Sequence, residues 1–150
     1  REPGDPAADL AAAYAIAHHL GHHVQNVLGY IEEVENMRKG LSEEKSADLT
    51  LRYELQADFF AGMWLHHGRL LPAEVTEDSV AALLEAVAAA VGQAGTVDGD
   101  AEAGGGGEVV EAFAPDPLTH GTAEQRQYWL WRGYDTGDIS YASTFAADKL

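Results

Sequence analysis

Four histidines stand within six residues of this chain, where residues 18–23 read His-His-Leu-Gly-His-His. On an α-helix, side chains four residues apart lie about one turn apart on the same face. His18 and His22 would therefore project side by side from a helix. Two imidazoles at this spacing are a common way to hold a divalent transition metal. The stretch predicts a helix that carries a metal site on one face.

Apolar residues on both sides of these histidines recur every three or four positions, which is the spacing of a helix that buries one face. The predicted helix begins at Asp5 and Pro6, since aspartate caps helix N-termini and proline fits the first turn. It ends near Gly29. Gly21 stands in its middle, where glycine costs about 1 kcal/mol relative to alanine. This glycine indicates that another segment approaches the helix closely there.

The remainder of the chain shows helical periodicity and turn signals, with no convincing strand pattern and no internal repeat. Further helices are predicted over residues 31–38, 42–67, 77–91, 122–132 and 139–146. The helix at 122 opens with a capping box, Thr122-Ala-Glu-Gln125, and ends before Gly133. With 150 residues, 46% of them hydrophobic, the chain is expected to fold as one mainly α-helical domain spanning 1–150.

Residues 92–108 differ in composition from the predicted helices. They contain four consecutive glycines at 104–107 and acidic side chains that include Asp98, Asp100 and Glu102. Glycine-rich segments with like charges have little apolar surface to bury and gain little from ordering. This part of the chain is predicted to be a flexible, acidic, glycine-rich loop.

Charge and cysteine content exclude several classes of function. The chain carries 25 acidic and 9 basic side chains, a net charge of -16. Such a chain lacks the basic surface that binds nucleic acid or an anionic membrane, and it attracts cations instead. It has no cysteine, which excludes disulfides, thiolate catalysis and cysteine metal sites. No apolar run approaches the roughly 18 residues of a membrane-spanning helix.

Two further blocks complement the histidines. Residues 52–58 read Arg-Tyr-Glu-Leu-Gln-Ala-Asp and place Glu54 and Asp58 four residues apart, on one face of the helix predicted over 42–67. A carboxylate can ligate a metal ion or accept a hydrogen bond from the second nitrogen of a ligating imidazole, so this face can supply both functions. The other block, residues 120–126, reads His-Gly-Thr-Ala-Glu-Gln-Arg.

Taken in order, the three blocks resemble those of the bacterial neutral zinc metallopeptidases, a gluzincin-like family with the pattern HExGHHVQ, then ELQAD, then HGTxEQR. The resemblance implies a zincin-like helical domain with its metal site between two long helices. It also implies that His18, His22 and Glu54 are the ligands of one zinc ion and that Asp58 is the outer partner of a histidine ligand. Because histidine-rich sites have a high intrinsic affinity for copper, copper or another divalent metal is the alternative to zinc.

One position departs from the family pattern. The residue after the first histidine of HExxH is the glutamate that activates water, and here it is His19. Three roles are open to this imidazole: an acid/base catalyst, a fourth metal ligand, or a hydrogen-bond partner of a substrate oxygen. His120, just before a predicted helix N-terminus, is predicted to act in catalysis as a donor to an oxyanion or to substrate. The alternative for His120 is a cap of that helix.

These observations predict a metal-dependent enzyme on a metallopeptidase-like scaffold. Without the glutamate, a specialised small-molecule reaction (hydrolysis, cyclisation, elimination or rearrangement) with His19 as acid/base is favoured over cleavage of ordinary peptides. The alternatives are a non-catalytic metal-binding pseudoenzyme or interaction protein, and a genuine neutral zinc metallopeptidase. The expected substrate is a small molecule or is peptide-like, with no nucleic-acid partner and no membrane partner in this chain. The sequence leaves the oligomeric state open.

The sequence also leaves localisation open. The family resemblance suggests an exported or membrane-anchored protein. Because the chain begins at Arg1 rather than methionine, we expect further sequence upstream, and this can include a signal or an anchor. Members of the family often have cysteines where Phe59 and Ser143 stand here, and their absence also allows a reducing, cytoplasmic location.

Overall fold

The computed structural model describes residues 6–68, 76–78, 80–82, 84–85 and 120–150, with side chains from residue 13 onward. These ranges contain the helices α1 (Pro6–Val27), α2 (Tyr30–Arg38), α3 (Glu43–Gly68) and α4 (Ala123–Thr136), and a 3-10 turn at Ile139–Tyr141. No described residue lies in a strand. The prediction of a mainly α-helical domain is confirmed.

Several helix boundaries follow the local signals in the sequence. Gly29, at a φ of 82°, makes the turn between α1 and α2. Ser42 precedes α3, and its hydroxyl accepts a hydrogen bond from the Lys45 backbone N–H at 3.4 Å. The capping box of α4 is present, because Thr122 Oγ1 accepts from the Gln125 N–H and Gln125 Oε1 accepts from the Thr122 N–H. The predictions at these three places are confirmed.

The predicted end of the last long helix is wrong. α4 does not stop before Gly133 but continues to Thr136. The glycine serves packing instead, since a Cβ at this position would lie 2.0 Å from the backbone oxygen of Phe59. Glycine therefore lets α4 touch α3 inside a continuing helix, although the same residue reads as a helix end in the sequence.

The C-terminal segment, residues 142–150, is held by side chains of α3 rather than by a helix of its own. The helix predicted over 139–146 is wrong, because only residues 139–141 form a helical turn. Beyond that turn, the carbonyl oxygens of Thr144 and Ala147 each accept a hydrogen bond from Arg52 Nη1 at 2.8 Å. An irregular backbone anchored by a side chain replaces the repeating hydrogen bonds of a helix.

Other predictions fall partly or wholly outside the described residues. Residues 77–78, 80–82 and 84–85 are helical, in agreement with the helix predicted over 77–91. The remainder of that helix, the predicted cap at Asp5 and the loop predicted over 92–108 lie outside the described ranges.

α3 is the central helix, and it packs against both α1 and α4. A Cβ added to Gly21 would lie 2.4 Å from the backbone oxygen of Ala57, so the two helix backbones nearly touch there. The prediction that another segment approaches Gly21 closely is confirmed. This contact sets the histidine face of α1 against the turn of α3 that carries Glu54 and Asp58.

Two groups of buried apolar side chains stabilise this arrangement. One joins α1, α3, α4 and the helical residues near 80–84, and its buried members are Tyr14, Ala17, Ala61, Leu65, Val80, Leu84 and Leu130. The other joins α3, α4 and the C-terminal segment, with Leu55, Phe59, Phe60, Trp129 and Ala142. Burial of each large side chain contributes roughly 1.5–3 kcal/mol. None of the helices searched in the described part of the chain is long and apolar enough to cross a membrane.

Candidate metal centre

Two side chains of α1 and one of α3 bring possible metal ligands together. His18, His22 and Glu54 each offer one ligand atom, and these atoms all lie within 4.8 Å of one another. The two histidine Nε2 atoms are 3.1 Å apart. Glu54 Oε2 lies 3.3 Å from Nε2 of His18 and 3.2 Å from Nε2 of His22. The sequence spacing therefore corresponds to a cluster in space.

A buried charged network lies behind His18. Its Nδ1 is 2.8 Å from Oδ1 of Asp58, which is fully buried. Arg126 donates from Nε to Oδ2 of Asp58 at 3.0 Å. Tyr14 donates its hydroxyl proton to Asp58 Oδ1 and accepts a hydrogen bond from Arg126 Nη2. The carboxylate is thus fully bonded, as a buried charge requires.

The charges in this network fix the protonation of His18 Nδ1. Burial raises the pKa of Asp58, but Arg126 and His18 outweigh it and hold the pKa at about 2. Burial lowers the pKa of His18, but Asp58 and Glu54 outweigh it and raise the pKa to about 9. Because the Asp58 carboxylate is ionised and can only accept, Nδ1 of His18 is the donor. The lone pair of its Nε2 is then directed into the cluster whenever the ring is neutral.

A neutral network holds His22. Its Nδ1 is 2.8 Å from Oε1 of Gln25, whose Nε2 donates to the backbone oxygen of Tyr53 at 2.7 Å. A carbonyl can only accept, so this contact sets the orientation of the Gln25 amide. Oε1 therefore faces His22, and Nδ1 of His22 must donate. The lone pair of its Nε2 also points into the cluster.

The cluster therefore brings three hydrogen-bond acceptors together. When both rings are neutral, none of the three facing atoms carries a proton that could bridge them. Glu54 Oε2 is buried and forms no hydrogen bond among the described residues, although three imidazole nitrogens lie within 3.4 Å. Either a proton on His18, whose pKa is raised to about 9, or a bound metal cation resolves this arrangement. A tetrahedral zinc ion with bonds of about 2.0–2.1 Å separates its ligand atoms by about 3.3–3.4 Å, close to the spacings of 3.1–3.3 Å found here. The residues present fit a metal ion.

The two predicted catalytic histidines lie beside this cluster. Nε2 of His120 is 3.4 Å from Glu54 Oε2, and its ring centroid is 6.2 Å from that of His18. Burial lowers the pKa of His120, and the Glu54 carboxylate opposes this change. The ring centroid of the exposed His19 is 6.4 Å from that of His18. The pKa of His19 is lowered, first by desolvation and to a lesser extent by the charges of His18 and His22. His19 does not belong to the three-residue ligand group found among the described residues.

This chain matches a family model over residues 4–145, and the family is described as "Putative neutral zinc metallopeptidase". The chain belongs to this family. It is 39% identical to "Uncharacterized protein YpfJ" of Escherichia coli (strain K12), over 91% of this chain and 44% of that protein. It is 35% identical to "Uncharacterized protein Rv2575" of Mycobacterium tuberculosis (strain ATCC 25618 / H37Rv), over 98% of this chain and 48% of that protein.

The chain thus spans less than half the length of these curated relatives. No solved structure matches it. Membership of a zinc peptidase family agrees with the ligand set in the structure, because two imidazoles and a carboxylate are a common zinc-binding combination. The family and the geometry therefore support a metallopeptidase-like scaffold with a possible metal site.

Several polar residues that support the ligands are not predicted from the sequence. Tyr14, Gln25 and Gln56 are each at most 1% exposed, and all three take part in hydrogen bonds behind the cluster. Gln25 stands three residues after His22, on the same face of α1, and this spacing is a signal that could have found it. Tyr14 stands four residues before His18 on the same face of α1 and gives the same kind of signal. Gln56, two residues after Glu54, gives none.

Proposed function

We propose that this protein binds one divalent metal ion, zinc in keeping with its family, through Nε2 of His18, Nε2 of His22 and the carboxylate of Glu54. The observation that carries the proposal is the convergence of three acceptor atoms, together with the hydrogen bonds that already occupy the second nitrogen of each of the two imidazoles. Asp58 and Gln25 occupy the Nδ1 atoms of the two rings, so in the neutral rings the Nε2 lone pairs face the cluster. A bound metal would supply a Lewis acid that polarises a substrate oxygen or activates water.

On this scaffold we propose an enzyme that acts on a small molecule rather than on ordinary peptides. His19 stands where the family pattern places a glutamate base. An imidazole becomes cationic when it accepts a proton, whereas a carboxylate becomes neutral, so imidazole is the weaker base beside a bound dication. His19 would move a proton in a reaction that is easier than amide cleavage, such as hydrolysis, cyclisation, elimination or rearrangement of a small substrate.

His120, which is distant from His19 in the sequence, supports the same proposal. Its Nε2 lies near the Glu54 oxygen that faces both proposed histidine ligands. From this position the ring can donate a hydrogen bond to a substrate oxygen at which negative charge develops. His19 and His120 would then be the groups of this chain that exchange protons or hydrogen bonds with the substrate.

Metal binding is tested with the metal-free protein, using zinc and a chromogenic chelator as competitor. We expect about one zinc ion per chain. His22→Ala should remove most of the binding, since it deletes one of three ligands. His66→Ala is the matched control, because His66 is a helix histidine whose Nδ1 lies against the Tyr134 carbonyl, away from the cluster. Equal loss in the two variants would show that the site is placed wrongly.

The reaction class is tested with the zinc-loaded protein. We expect negligible cleavage of casein and of simple peptides, and turnover of at least one member of a panel of small esters, lactones and amides. Robust peptide cleavage that is lost on chelation and restored by zinc would instead establish a neutral zinc metallopeptidase. Zinc binding with no turnover of any panel member would favour the non-catalytic alternative.

A further inference from the structure

We propose that Gln25 and Gln56 form an amide relay that positions His22 as a metal ligand and connects it to the backbone carbonyl of Ala142. This relay consists of the side chains of Gln25 and Gln56 and the Ala142 oxygen. The proposal rests on the proposed metal binding, and it assigns a positioning function to two buried glutamines that do not touch the cluster's ligand atoms.

The relay is continuous and buried. Gln25 is 0% exposed and Gln56 is 1% exposed. Gln25 Oε1 lies 2.8 Å from His22 Nδ1, and Gln25 Nε2 donates to Gln56 Oε1 at 3.0 Å. Gln56 Nε2 in turn donates to the Ala142 oxygen at 3.0 Å. Both amides use donor and acceptor atoms in these contacts, which offsets the free-energy cost of burying them.

The direction of every hydrogen bond in the relay is determined by its fixed end. The Ala142 carbonyl can only accept, so Gln56 must present its NH2 group there and its oxygen to Gln25. Gln25 must then present its NH2 group to Gln56 and its oxygen to His22. His22 consequently carries its proton on Nδ1 and leaves the Nε2 lone pair for a metal ion. The Ala142 carbonyl, two side chains away, thus selects the same tautomer as the Tyr53 carbonyl, which accepts from Gln25 Nε2 at 2.7 Å.

The fixed end of the relay is itself firmly held. Ala142 is 4% exposed and packs in the apolar group that contains Leu55 and Trp129. Two carbonyls just beyond it, those of Thr144 and Ala147, bind Arg52 of α3. The C-terminal segment therefore contributes to the metal site without supplying a ligand. It does so by holding the acceptor that orients Gln56, and Gln56 orients Gln25 together with the Tyr53 carbonyl.

The first measurement needs no variant. In metal-free, 15N-labelled protein at alkaline pH, where imidazoles are neutral, the ring-nitrogen chemical shifts should show that His22 is protonated on Nδ1. Protonation on Nε2 would overturn the relay. Gln25→Leu, which deletes the acceptor at His22, should allow the other tautomer to appear. Gln127→Leu, the same exchange at a partly exposed glutamine of α4, should leave the His22 signals unchanged.

The second measurement is zinc affinity, again by competition with a chromogenic chelator. Loss of an outer hydrogen-bond partner typically weakens metal binding about 10–100-fold, so we expect at least tenfold for Gln25→Leu. Gln25→Glu, which retains an acceptor for His22, should recover part of this loss, and Gln56→Leu should show a smaller loss than Gln25→Leu. Unchanged affinity and tautomer in both leucine variants would overturn the relay. Wild-type protein that binds no zinc but keeps the Nδ1 tautomer would disprove the proposed function, yet support the control of His22 by the relay.

Discussion

The two histidines of the proposed metal site are held from behind by networks of opposite electrical character. His18 donates to the Asp58 carboxylate, whose charge is balanced by Arg126. His22 donates to the neutral amide of Gln25, which is held in turn by Gln56. The charged network joins α1, α3 and α4, and the amide network joins α1, α3 and the C-terminal segment.

The difference shows how a buried site can orient two ligands without accumulating charge of one sign. A carboxylate behind an imidazole raises its basicity as well as fixing its tautomer, but an unpaired buried carboxylate costs several kcal/mol. Arg126 offsets that cost for Asp58. A second carboxylate in the place of Gln25 would need a second buried cation. An amide fixes the tautomer of His22 and requires no counter-charge.

Breaking the charged network should give the largest loss of stability. Arg126→Met removes the guanidinium that faces Asp58 and leaves His18 as the one positive partner of its buried carboxylate among the described residues, so the free energy of unfolding should fall by about 3–5 kcal/mol. Urea unfolding of the metal-free protein measures this change. Arg38→Met, at an exposed arginine of α2, is the control and should change stability by no more than about 0.5 kcal/mol. A loss below about 1 kcal/mol for Arg126→Met would mean that the ion pair is not an essential support.

Metal should stabilise the site where the two networks meet. At free zinc 100-fold above the Kd, binding to the folded state alone adds about 2.7 kcal/mol to the free energy of unfolding. Thermal unfolding with zinc and with an excess of chelator measures the difference. The shift should vanish in His22→Ala, because the ion then loses one of its three protein ligands. An equal shift in wild type and His22→Ala would place the stabilising metal elsewhere.

Breaking the amide network should cost less than breaking the charged one. Gln25→Leu leaves buried polar groups without hydrogen bonds but leaves no buried charge without a partner. The free energy of unfolding is therefore expected to fall by about 1–3 kcal/mol. Urea unfolding of the metal-free protein provides the comparison with Arg126→Met, and Gln127→Leu is again the control. A loss as large as that of Arg126→Met would contradict the distinction between the two networks.

The parts of the site also differ in how far the sequence predicts them. The spacing of His18 and His22 places them on one helix face, because that relation is local and follows from helical periodicity. The block around Glu54 completes the cluster through a family pattern. The tautomer of His22 depends on Gln25, which is oriented by the Tyr53 carbonyl and by Gln56, and Gln56 is oriented by a carbonyl at residue 142. The last of these contacts forms only when the C-terminal segment packs on α3. No local pattern encodes that contact.

Gly133 illustrates the same limit in the fold. After Arg132, a glycine followed by a turn signal reads locally as a helix end. The close approach to the Phe59 carbonyl, which explains the glycine, is a tertiary contact that periodicity does not reveal. The capping box at Thr122 is predicted correctly because both of its hydrogen bonds join residues three apart. Local features are therefore recovered, and of the close helix contacts at Gly21 and Gly133 the one at Gly21 is anticipated whereas the one at Gly133 is not.

The smallest effect on stability is expected at His19. Because His19 is exposed, His19→Glu should change the free energy of unfolding by no more than about 0.5 kcal/mol. The same exchange restores the family's HExxH pattern and replaces a neutral base by a carboxylate, which is the stronger base beside a bound dication. Trace zinc-dependent peptide cleavage should therefore appear, and turnover of a small-molecule substrate that relies on imidazole should fall.

The control for this variant is His23→Glu, which adds the same charge at an exposed position one turn further along α1. It should give no peptide cleavage, since His23 does not stand at the position of the family's base. Cleavage by both variants would point to a general effect of negative charge near the cluster. A loss above about 2 kcal/mol for His19→Glu alone would mean that His19 supports the fold, in which case its proposed freedom to act on a substrate is wrong.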